Sequence, residues 1–394
     1  MWHHLRKQWC YIVFLGVTDV YLQIMAWNEE VNTCDILFEY SHNDFVYTTS
    51  SEHGQDLMSA FDSLLLQKWE AARDAGLFNY QVNHVETKLL PGKFRIVAQM
   101  NTKRKTMRRK PEQITSVKQP FNPEKFNFTN IKKEEILAKL HYKQNCSKIT
   151  DCEGMADGDK TLEGSLAINN APICYSHSLI LPFLSQCRPQ VIDDEFLRVA
   201  FHTILLSQTP DFRIAYNSLG GCASVNHLHI HVYYLPYQLY IETAECQKLA
   251  GPCYTFKDYH APGFVFQLEN GDVDELIRSL VIVVKLFLEE EMAHNMYITR
   301  GTYLDSNSPD GRYSTIRVIL WARKPSYGIK NVLDFAAAAC ELAGHVPIYS
   351  YDCWHSLSEE EIIPITRTVC EESFSAMVPK VVSLFSKYSN STLT

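Results

Sequence analysis

The 394-residue sequence has no run of apolar residues long enough to span a bilayer; the greasiest stretch, 276–288, is broken by Lys285 and reads as a buried helix. None of its 12 cysteines, at 10, 34, 146, 152, 174, 187, 222, 246, 253, 340, 353 and 370, stands in a C-x2-C pair, which removes the zinc and thioredoxin-like sites built on that spacing. Twelve are also too few for a disulfide scaffold. Several, such as Cys174, Cys222 and Cys340, sit inside apolar stretches and read as buried free thiols in a reducing compartment. There is no basic excess: 37 Lys and Arg face 45 Asp and Glu, a formal charge of −8, which argues against a chain that grips a nucleic acid backbone. Only 21% of residues are charged and 46% are hydrophobic, so a sizeable core can form, and disordered, collagen-like and extended coiled-coil chains are excluded. The opening "MWHHLRKQWCYIVFLGV" has the basic-then-apolar shape of a signal peptide. Asp19 and Gln23 interrupt it and no small-residue cleavage site follows, so a cytoplasmic location is expected.

The pattern along the chain predicts an α+β fold in two related halves. Residues 1–50 carry no interpretable signal, 51–250 form a first half, 251–350 a second, and 351–394 a tail. In the first half Leu57, Phe61, Leu64, Leu65, Trp69 and Ala72 recur at helical spacing over 56–75, with Gly76 as the stop. A turn and a strand follow at 89–100, then a basic stretch without period at 101–118 and a Pro- and Asn-punctuated aromatic segment at 120–128. A helix is expected over 132–141 and an exposed loop over about 144–166. Two short strands with a polar turn occupy 165–184, and a helix with Asp193 and Asp194 in its first turn occupies 192–206. Strand, glycine-containing loop and strand run from 212 to Pro236. The second half repeats this grammar: strand 263–270, helix 273–290, strands 294–301 and 314–324, and a helix over 332–343 capped by Asn331, with Asp334 in its first turn and Gly344 beyond its end.

The chemistry concentrates at 217–231. His227, His229 and His231 alternate with Leu228, Ile230 and Val232, and a period of two puts three imidazoles on one strand face along about 13 Å while the aliphatic residues face a core. Three adjacent imidazoles are expensive to desolvate and need partners. One chemistry that fits is a metal site completed by His177, His260 or His294. The other is nucleophilic attack of an imidazole nitrogen on phosphorus, its neighbours holding its tautomer. The preceding loop favours the second: Gly220 and Gly221 let backbone N–H groups approach a phosphate, and Ser224 can donate to a leaving oxygen.

"SVNHLHIHVYYLP" resembles the His-φ-His-φ-His-φ-φ signature of the histidine triad superfamily, and "INNAPICYSHSLILP" is similar to its upstream strand pair. With "LLPGKFRIVAQMN", "FNPEKFNF", "FRIAYNSLGGCASVNHLH", "AHNMYITRG", "RVILWARK" and "CELAGHVP", the chain from about 57 to 350 resembles the GDP-D-glucose phosphorylase branch, animal relatives of plant GDP-L-galactose phosphorylase. The resemblance implies antiparallel sheets with helical cover, duplicated into an internal pseudo-dimer like galactose-1-phosphate uridylyltransferase, with one active site because only the first half keeps the triad. A monomer then suffices. It implies His229 as nucleophile, His227 and His231 orienting it, and Ser224 at the leaving side. Asn169 would contact the nucleotide and Asn217 a phosphate, and His177 would begin the second upstream strand.

The implied reaction converts GDP-glucose and inorganic phosphate to GDP and glucose 1-phosphate through a guanylyl-histidine, with no cofactor, no metal, no nucleic acid and no membrane partner. His231 stands where transferases of the superfamily commonly carry Gln and hydrolases carry His, so a hydrolase releasing GMP is the alternative. A nucleotide-binding regulator on a dead triad would have no need to keep His227, His229, His231 and Ser224 together. Arg104, Arg108 and Arg109 align with family arginines and suit a diphosphate, or form an exposed polar loop. Phe126 and Phe128 either flank the guanine or pack a core.

Overall fold

The computed structural model describes residues 36–49, 58–81, 85–143, 162–304, 313–326 and 336–391. Along the first part of the chain run β1 (Leu37–Tyr40), α1 (Ala60–Asp74), β2 (Thr87–Leu89), β3 (Val97–Met100), α2 (Thr102–Met107), β4 (Ile136–Tyr142), β5 (Glu163–Ile168), β6 (Ser178–Pro182), α3 (Asp194–Leu206), β7 (Phe212–Asn217) and β8 (Ile230–Tyr234). Then come β9 (Cys246–Ala250), β10 (Cys253–Phe256), β11 (Phe264–Gln267), α4 (Val273–Glu289), β12 (Ala293–Gly301), β13 (Thr315–Arg323), α5 (Ala339–Leu342), β14 (His345–Ile348), α6 (Tyr351–Ser356) and α7 (Glu359–Ser391).

Eleven strands join one sheet in the order β1-β4-β5-β6-β8-β7-β12-β13-β11-β10-β9, and β14-β3-β2 form a small second sheet. All pairings in the large sheet are antiparallel except β1 with β4. One face is covered by α3 and α4, against which Ile214, Ile230, Val232, Ile298 and Val318 pack. Helix α4 earns that place by its spacing: Leu276, Ile277, Leu280, Val283, Val284 and Phe287 are buried along one stripe, and Asp272 caps Glu275 N–H at 2.9 Å. The opposite face carries a second core around Ala215, Tyr233, Tyr297 and Trp321. Asp62, buried in the first turn of α1, ties that helix to the sheet by accepting from Ser207 Oγ, Tyr234 Oη and Gln208 N–H at 2.6, 2.6 and 2.8 Å. Among the described residues no helix is long and apolar enough to cross a membrane. The eight described cysteines are free, and burial pushes the Cys340 and Cys370 thiols up to about 12.

Four expectations are corrected. The segment 132–141 is not a helix: a 3-10 turn over Lys133–Glu135 leads into β4. A bulge near Ile136 and Ala138 shifts the register, so Leu137, Ala138 and Leu140 are buried together and mimic helical spacing. The loop expected to reach 166 gives way to β5 at Glu163, while 144–161 lie outside the described residues. The basic stretch after 101 opens as α2, with the Asn101 side chain accepting from Arg104 N–H at 3.3 Å. The helix over 332–343 is described only as α5, with Gly344 after it at φ +97°; Asn331 and Asp334 lie outside the described residues.

A buried ion pair and its hydrogen bonds join β7 and β12 to the turn after β8. Arg213 Nη2 and Glu242 Oε1, both fully buried, are 2.7 Å apart, and Glu242 also accepts from Thr299 Oγ1 at 3.0 Å and Leu239 N–H at 3.2 Å. Removing one partner strands the other charge in the core. Glu242→Ala is expected to cost about 3–5 kcal/mol in urea unfolding; a loss under about 1 kcal/mol would show that water replaces the carboxylate.

Candidate active site

The loop from β7 to β8 delivers the three histidines. Strand β8 itself begins at Ile230, so His227 and His229 lie on the extended lead-in rather than inside the ladder. What keeps that lead-in straight is Gln190, 1% exposed. Its amide accepts from His229 N–H at 2.8 Å and donates to the carbonyls of His229 and Asn217 at 3.0 and 3.1 Å, standing in for a strand neighbour. The Leu228 N–H goes to Arg188 O at 2.9 Å. As the alternation predicts, Leu228, Ile230 and Val232 enter the helix-covered core, while Tyr233 joins the core of the other face.

The tautomers follow from the partners. His229 Nδ1 lies 2.7 Å from His227 O, an acceptor only, so Nδ1 carries the proton and Nε2 keeps its lone pair. His227 Nδ1 accepts from Phe128 N–H at 3.0 Å, which puts its proton on Nε2. His177 Nδ1 accepts from Ile173 N–H at 2.8 Å, so His177 Nε2–H donates across 3.0 Å to His231 Nδ1, and His231 in turn holds its proton on Nε2. The result is one imidazole lone pair, on His229, beside an N–H donor on His231, their ring centroids 5.1 Å apart. Burial lowers His229 to about 4 and His227 to about 4, and holds His177 well below the ordinary imidazole range. All three are neutral at pH 7.

One cleft brings together Arg104, Arg108, Arg109, Phe126, Phe128, Asn169, Ser224, His229 and His231. Phe128 packs on His229 at 5.0 Å between centroids and meets Phe126 edge-on at 5.8 Å. The Arg109 guanidinium carbon lies over Phe126, 3.1 Å from its centroid, and that of Arg108 over Tyr349 at 5.7 Å. Arg104 donates through Nη1 to Ala171 O, while its Nε is buried with no partner among the described residues. Asn169 accepts from Ala171 N–H through Oδ1 at 3.1 Å and sets its Nδ2 3.5 Å from His177 Nε2, a contact between two donors in this tautomer rather than a hydrogen bond. The cleft lining does not include His227, Asn217, Gly220 or Gly221. Asn217 Oδ1 accepts from Asn295 Nδ2 at 2.6 Å and from Ala339 N–H at 3.0 Å. A Cβ on Gly221 would stand 2.5 Å from His294 O, so this glycine serves a close backbone crossing, and Gly220 takes φ +73° in the turn.

Of the metal candidates only His177 joins the triad; His260 bonds Thr366 Oγ1 at 2.7 Å, and His294 Nδ1 bonds Met292 O at 3.0 Å. Among the described residues no three His, Cys, Asp or Glu side chains gather as a ligand set. Sequence reasoning missed Gln190, Glu135, Asn170 and Asn295. Asn295 braces the 217–221 loop by donating to both Asn217 Oδ1 and Gly221 O, the latter at 2.7 Å.

Residues 60–233 match the family model described as GDPGP1-like, N-terminal domain. GDP-D-glucose phosphorylase 1 of Xenopus laevis is 36% identical over 363 residues, 83% of this chain and 90% of the relative. The Homo sapiens protein of that name is 38% identical over 311 residues, 78% of each chain. The fold is shared with crystalline yeast Ap4A phosphorylase at a TM-score of 0.52 and 15% identity, covering 79% of this chain and 97% of that one. Identity at this level, spread over most of both chains, makes the chain a member of the GDP-D-glucose phosphorylase family.

Proposed function

We propose that this chain is a nucleotidyltransferase that splits GDP-glucose with inorganic phosphate, yielding GDP and glucose 1-phosphate. The family supports the substrate pair, and one observation carries the chemistry: a neutral, buried His229 whose proton is pinned at Nδ1, leaving the Nε2 lone pair free. In this reading Nε2 attacks the α-phosphorus, the bond from that phosphorus to the bridging oxygen breaks, and the electron pair leaves on glucose 1-phosphate. His231 Nε2–H and Ser224 Oγ–H donate to the oxygens that gain charge, and Arg104, Arg108 and Arg109 offset the diphosphate charge. A phosphate oxygen then attacks the guanylyl-histidine, the P–N bond breaks, and GDP departs with the His229 lone pair restored. Asn169 would hold the nucleotide. His227, Asn217, Gly220 and Gly221 would act from behind, by shaping the loop.

The strand order supports an internal pseudo-dimer of two copies of one unit with 351–394 as an appended tail, the boundary between the copies falling before β9 at Cys246 rather than at 250. Outward from the β7–β12 pair, β8, β6, β5, β4 mirror β13, β11, β10, β9, and each series runs three strands, a helix and two strands. Ile214 pairs with Ile298, Val232 sits opposite Ile214, and Val318 opposite Ile298. That register sets Thr315 and Arg317 where the first copy has His229 and His231. The Arg317 guanidinium is occupied by Ile241 O and Ala244 O, both at 2.9 Å, so the second position is filled and one active site per chain follows.

Product chromatography with and without phosphate tests the reaction. GDP is expected as the product, with its formation falling at least about 50-fold when phosphate is omitted. GMP as the main product at millimolar phosphate would replace phosphorolysis by hydrolysis.

A further inference from the structure

Guanine presents an acceptor at O6 and two adjacent donors, N1–H and N2–H, whereas adenine presents a lone pair at N1. A protein that selects guanine therefore gains most from two acceptors side by side, which is what a carboxylate offers. Arginines, aromatic and aliphatic side chains, amides and a hydroxyl line the cleft beside the histidines; among the lining residues there is a single carboxylate, Glu135. An anion in a cleft that handles a diphosphate repels the phosphates, so its place must be away from them and its benefit must come from another part of the ligand.

Glu135 is only 8% exposed, at the end of the 3-10 turn that enters β4. Its carboxylate takes a hydrogen bond from Asn170 Nδ2 that is long, 3.5 Å, although an ionised carboxylate can accept about four. The Arg109 guanidinium acts on it through charge, and its remaining acceptor capacity opens on the cleft, where a ligand's N–H groups can use it. The geometry of its neighbours gives the direction. Asn170 is preceded in the chain by Asn169, whose amide lies 3.5 Å from His177, and His177 bonds His231. Glu135 thus stands at one end of a polar row whose other end is the imidazole pair. Arg109 over Phe126 lines the same cleft and places planar groups of the kind on which bases stack beside it.

We infer that Glu135 reads the guanine base, its two oxygens accepting N1–H and N2–H while the α-phosphorus lies at His229. This rests on the GDP-sugar reading and deepens it by naming the residue that discriminates the base. Glu135 is a specificity residue: it holds the base in ground and transition states alike, so its loss raises KM more than it lowers kcat.

The test compares GDP-glucose, ADP-glucose and IDP-glucose, the last lacking only the N2 amino group. The wild-type chain is expected to favour GDP-glucose over IDP-glucose by at least about 10-fold and over ADP-glucose by at least about 100-fold in kcat/KM. In Glu135→Gln the efficiency with GDP-glucose should fall about 100-fold, chiefly through KM, and the GDP-to-IDP ratio should collapse to within about threefold. A ratio that survives while both substrates decline together would overturn the inference and assign Glu135 to the ribose or the scaffold. If Glu135→Gln does not fold, the wild-type ratio decides, because a ratio under about threefold means that no acceptor reads N2. Failure of the functional reading looks different: the wild-type chain would turn over none of the three sugars. Calorimetric binding of GDP against IDP then decides on base reading alone, equal affinities overturning it and a preference of at least about 10-fold for GDP sustaining it.

Discussion

Replacing His229 by alanine is expected to lower kcat by at least about a thousandfold while changing the Kd for GDP-glucose by no more than a few-fold. The separation of the two effects follows from where the side chain works. In the proposed reaction its Nε2 lone pair forms the covalent bond, and neither His227 nor His231 can substitute, because each carries its proton on Nε2 through a fixed partner at Nδ1. The cleft arginines and Phe126 belong to other segments, and Ser224, in the same loop as His229, has its backbone tied to Glu112 by the Glu112 N–H to Ser224 O bond at 3.1 Å, so all stay in place. Truncation does leave a small void against Phe128, costing about 1–2 kcal/mol, so the melting transition should drop by a few degrees without losing cooperativity. A second readout is independent of turnover. Wild-type protein given GDP-glucose without phosphate should retain one guanylyl group per chain in an acid-labile, base-stable linkage, and His229→Ala should retain none. A variant within tenfold of wild-type kcat, or one that still accumulates the linkage, would remove His229 from the nucleophile's role.

The histidine face was legible because its signal is local: a period of two needs only five consecutive residues, and Leu228, Ile230 and Val232 fall in the core as it requires. The helices α3 and α4 were legible for the same reason, each having its own cap and apolar stripe. What escaped depends on residues brought together from far apart. Gln190 straightens the His229 lead-in from 39 positions away, and Asn295 braces the 217–221 loop across 78 and 74. Glu135 sits in "KKEE", which reads as a solvated charged face, and only the 3-10 turn before β4 takes it out of water. Helix α7 was hidden by Pro364 and Pro379, which lie inside it and which sequence reasoning takes as breaks.

Stability is expected to fall steeply as the pH is lowered from about 6.5 towards 4.5, a loss that begins about two pH units above the ordinary carboxylate values. Burial lowers His202, His260 and His345 to about 3, and His227, His229 and His294 to about 4. Each is neutral in the folded chain throughout that window, while in the unfolded chain each takes a proton near pH 6.5. The unfolded state therefore binds more protons, so stability is present above about pH 6.5 and is lost as pH falls towards the folded values. Every such histidine contributes a slope of about 1 kcal/mol per pH unit once the pH is below 6. Two carboxyls oppose the trend: burial pushes Glu242 and Glu341 up to about 7, so the folded chain takes up protons there as the pH falls and gains stability. With His177, also held well below the ordinary range by burial, seven histidines against two carboxyls leave a net loss of several kcal/mol per unit, comparable with the whole stability of a domain. Urea midpoints at pH 7.5, 6.5 and 5.5 measure it: the first two should nearly agree and the third should be markedly lower. His345→Gln, which removes one titrating imidazole that bonds Gln99 Oε1 at 2.7 Å, should flatten the slope even where it lowers the stability at neutral pH. Equal midpoints at pH 6.5 and 5.5 would mean that the buried imidazoles accept protons without unfolding, through water admitted beside them.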